Sequence, residues 1–437
     1  MSNSSSHFLK SIDTKYPAEK SIVLRYRHAF TFGTPDEDSR FKDLLKKTSI
    51  REGSRIFFLL KYKGVEIFAM DETSLMHTNT LKSIDGCVTI ARCKQAGYDR
   101  VVLETGGNTG SALTAYGTRA GLEMFCFMPG ENLRLLNSKF FTSPKAHLIS
   151  VKDPGMVKDS TERFQKHYGL IHIPRIEWRF EASRFRGLRI LEYMLGESRK
   201  FDWITQTISA AFGPIGIYWS FEHLGNMRRV PRFMGIQQEV NCPMYRAWKA
   251  RRRNLRPLKI TSTSKLLSPV MYDVKPHTYG TYRDLLGVLE ETKGELCTIS
   301  HAEFNRFLDR DFDGSGIRGL LKEHGIEMGE VKEKTGLIAL AGTLKAIDVG
   351  TIGKGNRVLW CLTSGVSNAD GRATAEFEVT NLKKMLKDYE ERFHLVAQHG
   401  RTTQEDRDQG LDAERGPGHA GRLLFPGTKT ENRKTAG

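Results

Sequence analysis

Short apolar runs alternate with helix-like stretches along the middle of the chain, and this alternation limits the folds that the sequence can adopt. Residues 100–103 and 124–128 have the pattern of buried strands, and the helical stretch 108–121 lies between them. The same order returns later, where a strand pattern at 203–208 is followed by a helix and then by a strand at 233–237. A βαβα order is typical of parallel strands that are covered by helices. We therefore predict an α/β fold with mainly parallel sheets.

The two ends of the chain lack this pattern. Residues 1–20 begin with a serine-rich stretch and predict a short disordered leader, which lacks the apolar segment that a secretory signal needs. Residues 376–400 have the composition of an exposed, charged helix, and residues 401–437 are polar and aperiodic, as is typical of a disordered tail. The length of 437 residues leaves room for two or three lobes.

Composition argues against several classes of protein. No stretch reaches about 18 consecutive apolar residues, so the sequence predicts no membrane span. The six cysteines form no CxxC pair, which favours reduced thiols in a cytoplasmic protein. Asp309, Asp311 and Asp313 have the spacing of a calcium loop. Leu320 stands where such a loop needs a bidentate Glu, so we expect a connecting turn and no metal.

The basic balance of the chain has three interpretations. The net charge is +16, and the densest basic run lies at residues 249–259. A solvated surface loop is the simplest interpretation of this run, and a partner or substrate entrance is the second. Nucleic acid is the third. No zinc-finger spacing or RNA-binding motif accompanies the run, which argues against nucleic acid binding.

A lone lysine follows a buried strand pattern and a polar loop. Residues 71–82 read DETSLMHTNTLK, and an apolar helix begins near residue 84. A desolvated lysine loses its proton more easily, and the neutral amine can attack an aldehyde. By itself, however, the pattern around Lys82 is more typical of a surface lysine.

Three further polar loops follow apolar runs. Residues 104–111 read ETGGNTGS and open a helix, where glycines and amides favour a close approach of an anion. Residues 207–217 read TISAAFGPIGI and can present backbone N–H groups to a phosphate. Residues 363–365 read TSG, and a hydroxyl there can meet a ring nitrogen. Each loop alone also fits an ordinary turn, and the absence of GxGxxG spacing and of a Walker lysine argues against nucleotide binding.

Together these stretches resemble the fold type II enzymes that use pyridoxal 5'-phosphate (PLP), the group of threonine synthase, cysteine synthase and threonine dehydratase. Threonine synthase-like members are the most similar. The family pattern K-x-E-x-x-N-P-T-G-S-F-K is similar to residues 71–82, and its S-S-G-N-T/H-G loop is similar to residues 105–110. The run G-S-G-G-G-P-L-G-I-Y is similar to residues 209–218. Later similarities follow in family order at residues 231–238, 333–345 and 362–363.

The resemblance implies a two-lobed enzyme with PLP in the cleft between the lobes. The larger, phosphate-binding lobe would comprise residues 21–72 and 196–375, and the smaller lobe would comprise residues 73–195. Lys82 would carry the cofactor as a Schiff base and move the substrate's α-proton, while Asn108 would bind the phenolic oxygen. The resemblance also implies that the pyridine nitrogen faces Thr363, that the phosphate meets Ser209, Ala210, Ala211, Phe212 and Gly213, and that the substrate carboxylate meets Thr105, Gly106, Gly107 and Thr109.

The implied function is a β/γ-elimination or replacement on an activated amino acid. It would be carried out by a threonine synthase-like lyase or transferase of amino-acid metabolism, acting on O-phosphohomoserine or a related substrate as a cytoplasmic homodimer. Cysteine synthase-type β-replacement and threonine or serine dehydration are alternatives. A non-catalytic ligand-binding or scaffold protein on the same fold is an alternative of another class.

Two departures from the family pattern qualify these expectations. The glycine-rich phosphate loop is Ser-Ala-Ala-Phe-Gly here, and Phe212 stands where a positive φ is often needed, which a bulky residue resists. We therefore expect a different loop path or a less tightly held phosphate. The Asp-Arg pair that usually follows the family's lysine is replaced by Ser83-Ile84-Asp85.

Overall fold

Two mainly parallel sheets flanked by helices form the fold, which confirms the predicted α/β class. The computed structural model describes residues 3–197, 200–221, 230–256, 262–273, 276–312, 314–328, 334–364 and 373–393. The predicted tail at 401–437 lies outside the described residues. None of the described helices combines the length and the apolar character needed to cross a bilayer.

The strands are short and mostly buried. In chain order they are β1 (Arg55–Tyr62), β2 (Val65–Asp71), β3 (Arg100–Glu104), β4 (Glu123–Pro129), β5 (Ala146–Val151), β6 (Ile171–His172), β7 (Trp203–Thr207), β8 (Arg232–Gln238), β9 (Glu295–Ile299), β10 (Asp311–Phe312), β11 (Ser315–Gly316), β12 (Arg357–Leu362) and β13 (Phe377–Val379).

Helices alternate with most of these strands. In chain order they are α1 (Asn3–Lys10), α2 (Ile22–Tyr26), α3 (Pro35–Thr48), α4 (Lys82–Gln95), α5 (Asn108–Arg119), α6 (Val157–Tyr168), α7 (Ile176–Gly196), α8 (Phe212–Phe221), α9 (Pro243–Lys249), α10 (Tyr282–Thr292), α11 (His301–Leu308), α12 (Ile317–Glu323), α13 (Thr335–Asp348) and α14 (Met385–Phe393).

The larger sheet has six strands in the order β1-β2-β12-β7-β8-β9. Strands β1 and β2 form an antiparallel hairpin, and the other neighbouring strands run parallel. Every residue of β7 is buried, as is typical of a parallel strand with both faces covered. Trp203 and Trp360 lie at the centre of this sheet and are almost inaccessible to solvent.

The smaller sheet has five strands in the order β13-β5-β4-β3-β6, all of them parallel. Helix α7 packs against both α8 and α4, the helices that follow β7 and β2 of the larger sheet. Most residues of α7 are buried, including Arg184 and Arg186. Because little of its surface is exposed, α7 lacks the clear amphipathic period from which a helix is recognised in sequence.

The expected disordered leader is wrong, and the expected C-terminal helix differs from the structure in where it begins. Residues of the expected leader form helix α1, and Phe8 and Ala18 are buried. The ring of Phe8 packs 6.2 Å from that of Tyr26, so burial of apolar side chains holds this segment in place. The segment expected to be a single C-terminal helix begins with strand β13, which pairs with β5 before α14 starts. The division of the chain between two lobes stays a prediction.

The order of the strands brings distant parts of the chain to one edge. Strands β2, β12 and β7 are consecutive neighbours and parallel, so the loops that follow them leave from the same end of the sheet. Strand β3 of the smaller sheet contributes a fourth loop. In open α/β sheets, ligands bind beyond the carboxyl ends of the strands. The four loops singled out from the sequence therefore leave the sheets at the ends where a ligand is expected.

Candidate active site

All of the predicted site residues line a single cavity at these carboxyl ends. They are Lys82, Thr105, Gly106, Gly107, Asn108, Thr109, Ser209, Ala210, Ala211, Phe212, Gly213 and Thr363. Residues as far apart in the chain as Lys82 and Thr363 share this cavity because β2 and β12 are paired neighbours. The individual roles that the resemblance implies for these residues stay predictions.

Lys82 is the first residue of α4, and its amine reaches into the cavity. Its backbone amide donates to Oγ1 of Thr80, and the amide of Leu81 donates to the carbonyl oxygen of Thr363 at 3.0 Å. These bonds fix the loop that carries the lysine to the end of β12. The Lys82 side chain keeps 23% of its surface exposed, so the amine is reachable from the cavity.

The charge of Lys82 is set by burial and by three charged neighbours. Desolvation lowers the pKa of its ammonium group below the ordinary value, while Asp85 opposes this effect. Arg179 and Arg186 on α7 lower the pKa further because they are also cationic. The balance favours release of the proton, which an amine needs before it can act as a nucleophile.

The loop between β3 and α5 is held in a conformation that requires glycine. Gly107 has a φ of +147°, and a Cβ built on Gly106 would lie 2.4 Å from the carbonyl oxygen of Val270. Oγ1 of Thr105 accepts hydrogen bonds from the amides of Gly107 and Gly110, both at 2.9 Å. The loop is therefore rigid, and Asn108 stands at the start of α5 with its side chain beside the cavity.

The loop between β7 and α8 avoids a strained conformation at its bulky residue. The positive φ falls on Ala211, at +60°, and not on Phe212, the residue that was expected to resist it. Phe212 instead opens α8 with its ring buried against Phe180 and Tyr279, at centroid distances of 5.6 and 5.4 Å. A bulky side chain fits here because it packs into an apolar contact, while the small Ala211 takes the left-handed conformation.

The backbone of this loop can hold an anion. Phe212 and Gly213 lie in the first turn of α8, where amide N–H groups have no acceptor within the helix. The carbonyl oxygen of Ala210 accepts a hydrogen bond from the Thr281 hydroxyl at 2.7 Å, so this acceptor is already engaged. The loop therefore presents donors to the cavity in spite of its low glycine content.

A buried charged network packs against this loop. Arg186 is fully buried and donates from Nη2 to Oε2 of Glu72 at 2.6 Å, with a second bond from Nε to Oε1. The same Nη2 donates to Oε1 of Gln206 at 2.7 Å. A Cβ built on Gly213 would lie 2.6 Å from Nε2 of Gln206 and 2.8 Å from Nη1 of Arg186. Only glycine allows α8 to begin this close to the network.

The cavity also contains cations that sequence reasoning missed. Arg179 lies with its guanidinium 4.7 Å from the ring centroid of Phe212, and it has no ion-pair partner within the described part of the chain. Nζ of Lys158 lies 3.3 Å from Oδ1 of Asp273. Arg179 and Arg186 stand seven residues apart on α7, a spacing that places both on one face of a helix. That spacing was the available signal.

Carboxylates and aromatic rings complete the lining. Glu104 hydrogen-bonds with His172; burial opposes its ionisation, yet this bond and the neighbouring cations lower its pKa below the ordinary value. Residues 262–273 and 276–281 are dominated by short turns and contribute several lining residues, and no periodic pattern in the sequence predicts them. The lining residues that were missed are Thr80, Leu81, Glu104, Lys158, Arg179, Gln206, Thr207, Ile208, Pro214, Val270, Met271, Tyr272, Asp273, Tyr279, Thr335 and Ser364.

Residues 46–297 match the protein family described as "Pyridoxal-phosphate dependent enzyme". A threonine synthase from Synechocystis sp. is 27% identical over 189 residues, which are 41% of this chain and 48% of that protein. A cysteate synthase from Methanoregula boonei is 22% identical over 312 residues, 68% of this chain and 69% of that protein. The chain thus matches about half the length of the first relative and about two thirds of the second.

Solved structures show a similar fold at low sequence identity. Threonine synthase from Escherichia coli has a TM-score of 0.56 and 12% identity, over 90% of this chain and 84% of that one. Isoform 2 of threonine deaminase from Solanum lycopersicum has a TM-score of 0.52 and 12% identity, over 82% of this chain and 89% of that one. At this level of identity the likeness concerns the fold alone.

Proposed function

Because the chain belongs to the family of pyridoxal-phosphate dependent enzymes, we propose that it catalyses elimination or replacement at the β or γ carbon of an activated amino acid. The specific reaction that we propose is threonine synthase-like, with O-phosphohomoserine or a related phosphorylated amino acid as the substrate. One observation carries the proposal. The amine of Lys82 and the N-terminal turn of α8 line the same cavity, at the carboxyl ends of β2 and β7, which lie on either side of β12 in the larger sheet.

The residues of this cavity fit PLP, the cofactor of the family. Lys82 supplies a primary amine whose pKa is lowered. The amides of Phe212 and Gly213 open a helix, which is a suitable position for a phosphate group. Thr363 is buried at the end of β12 and offers a hydroxyl for a ring nitrogen. When bound, PLP withdraws electrons from the α-carbon of an amino acid and so makes its hydrogen acidic.

The chain's own residues would handle the substrate and its proton. Nζ of Lys82 would hold the proton removed from the α-carbon, because burial lowers the pKa of this amine and the amine lines the cavity. Amides of the loop at 105–109 would bind the substrate carboxylate, since the loop is rigid and opens α5. The rings of Tyr272 and Tyr279 line the cavity and would limit access of water.

A phosphorylated substrate suits the charges at this cavity. The guanidinium of Arg179 is the cation there that lacks an ion-pair partner among the described residues, and Lys158 is nearby in the lining. Guanidinium groups bind phosphate through paired hydrogen bonds. A leaving group that departs with negative charge would be stabilised by these cations.

Replacement chemistry is a second candidate because cysteate synthases are among the relatives. Dehydration of threonine or serine is a third, and it rests on the fold shared with a threonine deaminase. Membership of an enzyme family and retention of the cavity lysine argue against a non-catalytic scaffold.

The cytoplasmic homodimer stays a prediction, which gel filtration and light scattering of the full chain would test.

A substrate screen on the PLP-loaded protein tests the proposed function. We expect O-phospho amino acids to change the visible absorbance of the bound cofactor and to release inorganic phosphate. O-acetyl and O-succinyl amino acids should act more weakly, because they place less negative charge near Arg179. Faster turnover of the O-acetyl substrates would favour the cysteine synthase-type alternative. A protein that gains no visible absorbance band from PLP would overturn the proposal as a whole.

A further inference from the structure

The orientation of the Gln206 side chain is fixed by its neighbour Arg186. A guanidinium group can donate hydrogen bonds but cannot accept them. Because Nη2 of Arg186 lies 2.7 Å from the side chain of Gln206, the oxygen of the amide must face Arg186 and its nitrogen must face away. Arg186 itself is held by two bonds to the buried carboxylate of Glu72. The assignment of Nε2 in Gln206 therefore follows from chemistry.

Nε2 of Gln206 points toward the start of α8. A Cβ on Gly213 would lie 2.6 Å from this nitrogen, so the amide group stands directly beside the loop that carries Ala211 and Phe212. Gln206 lines the cavity although only 4% of its surface is exposed. In the part of the chain that the structure describes, Nε2 has no hydrogen-bond acceptor, whereas Oε1 has a donor. An amide N–H that borders the cavity without a protein acceptor is available to donate to a ligand there.

We propose that Gln206 is a further phosphate-binding residue, whose Nε2 donates a hydrogen bond to the phosphate group of PLP held at Ser209–Gly213. Arg186 is the positioning residue that fixes this donor. The inference rests on the proposed function, because it needs PLP in this cavity. It also explains how a loop with one glycine can hold a phosphate: a side-chain donor, supported from below, adds to the backbone donors.

The buried cation strengthens this donor. Nη1 of Arg186 is buried and has no acceptor among the described residues, and it lies 2.8 Å from the position of a Cβ on Gly213. The edge of the guanidinium that faces the loop is thus the edge not neutralised by Glu72. Positive charge behind a donor polarises it and favours an anionic acceptor in a site of low dielectric constant. A phosphate monoester is an acceptor of this kind, and the phosphate of the substrate is its alternative source.

The test compares the affinities of PLP and of pyridoxal, which lacks the phosphate, for the full-length protein without substrate. Gln206→Glu keeps the acceptor for Arg186 and removes the N–H donor. We expect it to lower the affinity for PLP by about tenfold or more and the affinity for pyridoxal by less than about twofold, since one charge-assisted hydrogen bond is lost. Gln206→Met removes the donor without adding charge. It should also lower the affinity for PLP relative to the affinity for pyridoxal. Retained pyridoxal binding shows that the variant cavity is folded.

Gln237→Glu is the matched control. Gln237 is also buried and donates to the carbonyl oxygen of Ile208 in the same loop, but it does not line the cavity. We expect this change to alter the affinities of PLP and pyridoxal by equal factors. A PLP-specific loss of the same size in Gln237→Glu would overturn the inference, because it would reflect disturbance of the loop in general.

Other outcomes separate the inference from the proposed function. If both Gln206 variants weaken PLP and pyridoxal equally, the inference is wrong and the proposed function stands. If they keep the ratio of affinities but lose the preference for O-phospho over O-acetyl amino acids, Gln206 binds the substrate's phosphate and the inference is again wrong. If the unchanged protein binds no PLP, the proposed function fails and the inference fails with it.

Discussion

Nζ of Lys82 lies 2.6 Å from Oδ2 of Asp85, one helical turn further along α4. The Asp85 side chain is only 3% exposed, so solvent hardly reaches the carboxylate of this pair. In the family pattern, an aspartate directly follows the lysine, whereas here Ser83 and Ile84 intervene. The displaced aspartate contacts the amine itself, which makes it a determinant of the protonation of Lys82.

Asp85→Asn should shift the pH dependence of PLP incorporation to lower pH. Desolvation lowers the pKa of Lys82, Asp85 raises it, and Arg179 and Arg186 lower it again. Removing the carboxylate removes the raising contribution, so the neutral amine is present at a lower pH. The rate of incorporation, followed by absorbance across a pH series, reports the midpoint. Asp85→Glu keeps the charge and should move the midpoint less; equal midpoints in all three proteins would contradict the assignment.

Lys82→Ala should abolish the adduct that borohydride traps between PLP and the protein. The reason is that reduction fixes the cofactor to the amine that carries it. Lys158→Ala is the control, because Lys158 lines the same cavity but lies beside Asp273 and Thr278. Mass spectrometry of peptides from the reduced protein identifies the labelled residue. An adduct that survives in Lys82→Ala and disappears in Lys158→Ala would assign the cofactor to the other lysine.

The twelve predicted site positions came from the resemblance to a family, because each local pattern alone also fits an ordinary turn. Glycines, hydroxyls and an amide follow apolar runs at residues 104–111, 207–217 and 363–365, and the order of these loops along the chain carries the resemblance. Parallel strands bring the loops together, and all twelve predicted positions line one cavity.

The rest of the site depends on contacts that the sequence does not display. Gln206 lies inside β7 and Arg186 inside α7, so each looks like an ordinary residue of its element until the two are seen 2.7 Å apart. The left-handed conformation of Ala211 was not predicted, because it belongs to the path of a loop that is held by a distant residue, with the Thr281 hydroxyl donating to the Ala210 carbonyl oxygen. Helix α1 was missed because the packing of Phe8 against Tyr26 is a tertiary contact that the sequence does not show.

Ala211→Gly should leave the protein more stable than Ala210→Gly by about 1 kcal/mol, because a left-handed conformation costs an L-residue roughly this much, while both changes add the same flexibility to the unfolded chain. Ala211 has a φ of +60°. Ala210→Gly is the control: its φ is not positive, so the change should lower the free energy of unfolding through the added flexibility of the unfolded chain. Urea unfolding of both variants measures the difference. Equal stabilities of the two variants would show that loop flexibility, and not strain at Ala211, sets the effect.

Arg186→Met should lower the free energy of unfolding by about 3–5 kcal/mol, because it leaves the carboxylate of Glu72 buried without its cation. Both side chains are fully buried, so water cannot replace the lost partner. The double variant Glu72→Leu with Arg186→Met removes the stranded charge and should recover most of this loss, as expected when a buried ion pair is replaced by apolar groups. Denaturant unfolding of the two variants measures the recovery.

PLP affinity should nevertheless stay low in the double variant, because Gln206 then lacks the donor that orients it. A double variant that regains both stability and PLP affinity would show that Arg186 serves stability alone.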